Sequence, residues 1–229
     1  MREPSRSVVP KWAEHDRRRG RWRPDRDDLD RLIEMNALLA AQPVPEELCR
    51  PFPERIPMLL VGGTPRSGTT LMLQLLANAF GVTYPDNVAA RLWGAPYFAL
   101  AVSRSLKSQI GAAGGVAYES VAGITPDAFG PHDFGYFWER FFPLGENAYV
   151  TQEAIIECDE DRLMDELAAM FVAGGRKPIL FRGMLHTIYA DYFSKLFKDC
   201  LFIDMHRDPA DIALSMLKMR NERYGREDI

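Results

Sequence analysis

The sequence predicts an α/β fold of the P-loop type, with three α/β/α layers around a central parallel sheet. Three observations lead there. Short apolar runs at residues 58–61, 177–181 and 201–205 alternate with helix-length amphipathic segments, the pattern of a parallel sheet with crossover helices. The first run passes through a glycine-rich turn, residues 62–68, into a helix start at Thr69. The third leads into His206-Arg207-Asp208-Pro209, where Asp208 is a good N-cap and Pro209 a good first helical residue. At 229 residues the chain has enough material for one such domain and a sizeable core.

Taken in order, residues 1–27 are charge-rich and poor in apolar side chains, and such a segment repays little of its ordering entropy. They are expected to be a flexible arm in front of a single domain, residues 28–229. Leu29, Leu32, Ile33 and Leu39 recur at helical spacing and predict an amphipathic helix lying over that domain. A proline-rich connection, 42–57, follows. After the glycine turn a helix runs to Phe80 and stops at Gly81, and residues 82–84 read as a short strand. The segment YPDNVAARLW, 84–93, then lies on the side of the sheet where α/β proteins bind ligands. Residues 94–130, rich in Gly, Ala and Ser, are expected to be a mobile helix-plus-loop insertion, and 131–142 is aromatic-rich. Helices are predicted over 161–173, closed by Gly174-Gly175, over 187–197, and over 209–221.

The net charge of −4 argues against general nucleic-acid binding, which draws on a basic surface. Cys49, Cys158 and Cys200 are far apart with no C-x-x-C pair, so they read as free thiols in a reducing compartment. The four histidines show no zinc spacing. No stretch approaches the roughly 20 apolar residues of a membrane span, and the charged N-terminus has no apolar signal core. A cytoplasmic location is the default.

Two segments carry chemistry. The strand–turn–helix at 56–70 aims backbone N–H groups and a helix N-terminus at one place, an arrangement suited to phosphate or sulfate. A nucleotide P-loop reads G-x-x-x-x-G-K-[ST]. Gly63 and Gly68 keep that spacing, but Thr69 stands at the lysine position and the cation has moved into the loop as Arg66. In the second segment, Arg207 ends a strand and Ser215 follows eight residues later on the next helix. The arginine fork suits a phosphate and the serine adds a donor, although alone this pair reads equally as a helix-capping arginine and an incidental serine.

Together, Pro65-Arg66-Ser67-Gly68-Thr69-Thr70 and Arg207 with Ser215 make the chain resemble the sulfotransferases that use 3′-phosphoadenosine 5′-phosphosulfate (PAPS), in the bacterial and Golgi-type branches. The resemblance covers most of residues 56–221. It implies that Pro65, Arg66, Ser67, Gly68, Thr69 and Thr70 hold the 5′-phosphosulfate and that Arg207 and Ser215 hold the 3′-phosphate. It also implies a sulfuryl transfer without a metal, to a hydroxyl of a carbohydrate, lipid or other small molecule. Arg66 and the hydroxyls of Thr69 and Thr70 would meet charge growing on the leaving oxygen.

The acceptor needs a general base, and His132 and Asp133 are the first candidates, with Asp86, Asn87 and Arg91 as the competing set. Arg182 and His186 either line the pocket or cap a helix start. Family members continue beyond the R-D-P helix with a basic loop that closes over the nucleotide, so the resemblance implies either a fragment, truncated at its carboxyl end, or a short member that borrows or omits that lid. Two other readings stand beside this one: a P-loop kinase or NTPase, and a non-catalytic nucleotide-binding relative.

Overall fold

A computed structural model of the protein describes residues 19, 20, 23, 25–50, 53, 55–111, 115–142 and 158–225. The expected arm, 1–27, therefore lies almost wholly outside the described residues. Among the described residues three strands form one parallel sheet: β1 (Met58–Gly63), β2 (Ile179–Arg182) and β3 (Cys200–Met205), in the order β2-β1-β3. Met58 pairs with Ile179 on one side and with Cys200 on the other, so the carboxyl ends of all three strands meet at one edge of the sheet. The expected strand at 82–84 is reduced to a single bridge, Thr83 against Ile179, held by Thr83 N–H to the Pro178 carbonyl at 2.8 Å.

Alternation along the strands divides the core in two. Met58, Leu60, Ile179 and Phe181 belong to a large cluster on one face, while Val61 and Leu180 belong to a small one on the other. The small cluster is closed by α3 (Thr69–Ala79), the helix that follows the glycine turn, through Leu73 and Leu76. The large one is covered by α1 (Arg26–Ala40), α2 (Glu46–Cys49), α4 (Pro96–Gln109), α5 (Gly135–Phe141) and α6 (Glu160–Ala173). Helices on both faces of a parallel sheet make this the expected α/β/α sandwich.

Local signals explain several helix starts. The Asp25 carboxylate caps α1 by accepting from Asp28 N–H at 3.1 Å, and Asp159 caps α6 by accepting from Arg162 N–H at 3.1 Å. Two expectations change. The helix expected within 94–130 is present, but it packs into the core of the domain. Pro96 opens α4 at the first helical position, and its Tyr97, Ala99 and Leu100 join the large core. The helix expected at 187–197 is two short ones, α7 (Met184–Ile188) and α8 (Ala190–Leu196), broken at Tyr189.

The last helix, α9 (Pro209–Tyr224), starts as the sequence predicts, with Asp208 accepting from Ala210 N–H at 2.8 Å. No residue of α9 is buried, so Met216 and Met219, which the sequence suggests are packing residues, are only half-buried. The aromatic segment at 131–142 is core: Phe134, Phe137 and Trp138 are at most 1% exposed.

Candidate functional site: a two-arginine cradle at the strand ends

The glycine turn is a tight cradle. Ser67 N–H donates to the Thr64 carbonyl at 3.2 Å, which closes a four-residue turn with Pro65 in its second position and Arg66 in its third. Arg66 has φ 72°, the left-handed value that the third position of a type II turn demands and glycine normally supplies. An arginine kept there at a cost of about 1–3 kcal/mol is a mark of a working position. Gly63, at φ 130°, admits no side chain, because a Cβ would lie 2.6 Å from the Met205 carbonyl and 2.8 Å from Ser67 Oγ. Gly68, at φ 103°, hands the chain into α3, with Thr69 half-buried and Thr70 buried at the helix start.

The two motifs meet in space. Arg66 Nε donates to Ser215 Oγ at 2.9 Å, and Arg207 donates to the Arg66 carbonyl at 3.3 Å while its guanidinium pairs with Asp211 at 3.6 Å. Arg66, Arg207 and Ser215 thus form one cluster, built from β1–α3 on one side and β3–α9 on the other. The link is long-range in sequence and made by the side chains themselves.

A third arginine joins them. Arg182, the last residue of β2, is in register with Val61, and so lies beside the start of the glycine turn. It donates to Thr70 Oγ1 and forms an ion pair with Asp133 at 3.2 Å. The sequence offered no sign of this bridge, although a cation at the carboxyl end of a strand next to β1 is a usable signal. His132 is adjacent: its Nδ1 lies 3.1 Å from Asp133 Oδ1 and accepts the Phe134 N–H at 2.9 Å. A neutral ring bonded this way carries its proton on Nε2. Burial lowers the His132 pKa, with the Arg182 and Arg91 charges adding to the effect and Asp133 and Asp86 opposing it. For Asp133, burial acts to raise the pKa, but the His132 ring, the Arg182 charge and the amides of Asp133 and Phe134 together hold it below the ordinary value.

The competing base is engaged elsewhere. Asp86 is fully buried, pairs with Lys107 at 2.8 Å, and accepts from Ser103 Oγ and from Ala89 N–H at 2.8 Å. It holds α4 to the 86–91 turn. Asn87 is equally structural, spending its amide on Thr125 and on the Asp127 carbonyl. His186 sits behind the site, wrapped by Trp138, Phe181 and Phe193, where burial pushes its pKa down to about 3 against a weak pull from the Val61 carbonyl. It does not line the pocket. Next to it, Thr187 Oγ1 accepts from Gly63 N–H at 2.7 Å and donates to Asp204 Oδ1 at 3.2 Å, pinning the entry to the cradle. The exposed His206 pairs with the other oxygen of Asp204 at 2.9 Å.

Two buried polar atoms in the cradle find no hydrogen-bond partner, Ser67 Oγ and Arg182 Nε. Donors left unmet in a buried place, beside two further arginines, fit an anionic ligand. Among the described residues no three or more His, Cys, Asp or Glu gather as metal ligands would, and no helix is long and apolar enough to cross a membrane.

No curated protein matches the chain significantly. Two solved structures resemble it: sulfotransferase STF1 from Mycobacterium tuberculosis and sulfotransferase STF9 from Mycobacterium avium. For STF1 the identity is 15% and the TM-score 0.51, over 86% of this chain and 59% of that one. For STF9 the values are 16% and 0.48, over 87% and 57%. The chain therefore spans less than two thirds of the length of either, and at such identity the likeness to STF1 speaks for the fold alone. The sulfotransferase family model matches residues 57–228, three quarters of the chain and both arginine segments. With that match the question of kinship closes: the chain belongs to the sulfotransferase family.

Proposed function

We propose that the chain transfers a sulfuryl group from PAPS to a hydroxyl of a carbohydrate, lipid or other small-molecule acceptor. The observation that carries this reading is the meeting of Arg66 with Ser215 at 2.9 Å, which joins the glycine turn to the helix of the second arginine segment. A ligand with two separated anionic groups matches a cluster fed by two strand–turn–helix units. PAPS is such a ligand, and when bound it supplies the activated sulfuryl group.

In this reading the loop amides, Arg66, Ser67, Thr69 and Thr70 hold the phosphosulfate end, and Arg207 and Ser215 hold the 3′-phosphate. Arg66 and the two threonine hydroxyls stabilise negative charge on the leaving oxygen, as fixed donors in a pre-formed site do. Arg182 ties this donor half to the acceptor half through Thr70 and Asp133. Because His132 Nδ1 already accepts the Phe134 N–H, its Nε2–H is left to orient the acceptor oxygen. Asp133, half-exposed with its carboxylate ionised, then takes the hydroxyl proton. Residues 28–229 are taken as one domain, and the three free cysteines suit the cytoplasm.

Calorimetry with the product nucleotide, 3′,5′-adenosine diphosphate, tests the proposal. Binding is expected in the wild type and its loss in Arg66→Ala and Arg207→Ala. No binding, or binding indifferent to both substitutions, overturns it. Binding without sulfate transfer to any hydroxyl acceptor in a broad panel identifies a non-catalytic relative instead.

A further inference from the structure

Residues 115–124 form a strap along α3. One face of that helix presents Thr70, Gln74 and Asn78, four residues apart, and each grips the strap. Asn78 exchanges two hydrogen bonds with the Val116 backbone, at 2.7 and 2.8 Å. Gln74 donates to the Ala117 carbonyl at 3.0 Å and the Glu119 carbonyl at 2.8 Å, and Thr70 Oγ1 donates to the Gly123 carbonyl at 3.3 Å. The strap ends in a tight turn in which Val121 and Ile124 exchange hydrogen bonds at 2.9 and 3.0 Å around Ala122 (φ 52°) and Gly123 (φ 84°).

That turn stands on the cradle. A Cβ on Gly123 would lie 3.3 Å from Arg66 Nη1 and 3.5 Å from Thr70 Oγ1, and Arg223 donates to the Ala122 carbonyl at 2.9 Å. The negative end of the Gly123 carbonyl is thus turned toward Thr70, a group an anion would use, while the Ala122 carbonyl ties the turn to α9. Among the described residues the strap's large apolar side chains lie open: Tyr118, Val121 and Ile124 are all more than 40% exposed.

Building on the nucleotide reading above, we propose that the strap is an internal competitor for the anion site. The Gly123 carbonyl and an anion bound at Arg66 and Thr70 exclude each other. Nucleotide therefore binds only when the 121–124 turn swings away, and its apparent affinity is reduced by the fraction of molecules in which the strap is closed. Two kinds of substitution outside the cradle then act in opposite directions. The double variant Gln74→Leu/Asn78→Leu removes the grip without touching Arg66 or Thr70. Losing even one net hydrogen bond of about 1 kcal/mol corresponds to about fivefold, so its affinity for 3′,5′-adenosine diphosphate should rise by about fivefold or more. Ala122→Gly relieves the positive φ, steadies the closed turn, and should weaken binding by about threefold without removing any contact.

The experiment is calorimetry of wild type and both variants with 3′,5′-adenosine diphosphate. Tighter binding in the double variant and weaker binding in Ala122→Gly are expected. Equal affinities, or weaker binding in the double variant, overturn the gate while the nucleotide reading stands. Binding to none of the three proteins overturns both. Ala122→Gly keeps the test decisive if the double variant fails to fold.

Discussion

The two strand–turn–helix units that build the cradle are alike in plan and opposite in support. In β1–α3 five of the six strand residues are buried, and Leu73 and Leu76 of the helix are locked under the sheet. In β3–α9 no strand residue is fully buried and no helix residue is either. Yet both deliver an arginine to the same place. The first unit is held by the core and positions its site residues as a consequence. The second is anchored by its pairing with β1 and then by the site itself: Arg66 to Ser215, Arg207 to the Arg66 carbonyl, and Arg223 to Ala122. The residues proposed to bind the nucleotide on the exposed side therefore double as structural ties.

The largest expected effect breaks that tie. Arg66→Ala should lower sulfate transfer by about a hundredfold or more, the scale of removing a donor from a pre-formed charge-stabilising site. It should also speed amide exchange along α9 while leaving α3 unchanged. A hydrogen-exchange map in which both helices respond equally would erase the distinction drawn between the units.

Stability separates them next. Leu73→Ala, at a position 1% exposed, should cost about 2–5 kcal/mol in chemical denaturation. Leu214→Ala on α9, at 53% exposed, should stay within about 0.5 kcal/mol. Comparable losses would mean that α9 packs far better than its exposure implies.

A third prediction uses His186, which joins the aromatic core beneath the cradle. Its pKa near 3 lies below the 6.5 of a free imidazole, so between those values the unfolded chain binds the extra proton. Its contribution to stability is then present above pH 6.5 and lost as the pH falls toward 3, by at most about 1.4 kcal/mol per pH unit. His186→Phe should flatten that part of the stability curve. An unchanged slope would place the proton uptake elsewhere.

The smallest effect concerns the acceptor half. Protonation would turn His132 Nδ1 from an acceptor into a donor aimed at Asp133 Oδ1, 3.1 Å away, and so draw the proposed base out of use. Because the His132 pKa lies below its ordinary 6.5, kcat/KM should hold steady down to that pH and fall only below it. In His132→Asn the fall should move lower still. A profile falling already at pH 7 would contradict this assignment.

How much of this was legible in the sequence follows from how local each feature is. The turn from Gly63 to Thr70 is written in consecutive residues, and so is the Asp208-Pro209 helix start, so both could be read directly. The Arg66–Ser215 link was within reach because the two motifs were recognisable separately. The Arg182–Asp133 bridge was not, since it joins a strand end to a loop through tertiary contact alone. Nor was the strap. Thr70, Gln74 and Asn78 look like ordinary polar positions on an amphipathic helix until the backbone they grip is seen. Helix α4 was expected within 94–130, but its place in the core was not legible, because its Ala and Ser residues hide a buried face behind a composition typical of loops. Asp86 misled for a related reason: a carboxylate on the ligand side of the sheet looks available until Lys107 and Ser103 are found against it.

Thr187 leaves a mark of another kind. A methyl group added at Gly62 would fall 2.1 Å from its Oγ1, in space that the hydroxyl already fills. Neither position is free to drift alone. A larger residue at 62 becomes acceptable only once 187 has given up its hydroxyl, and that change strips the cradle of the bond to Gly63. Across descendants of this chain the two sites should therefore vary as a pair or not at all. Any lineage that crosses over passes first through a loosened cradle.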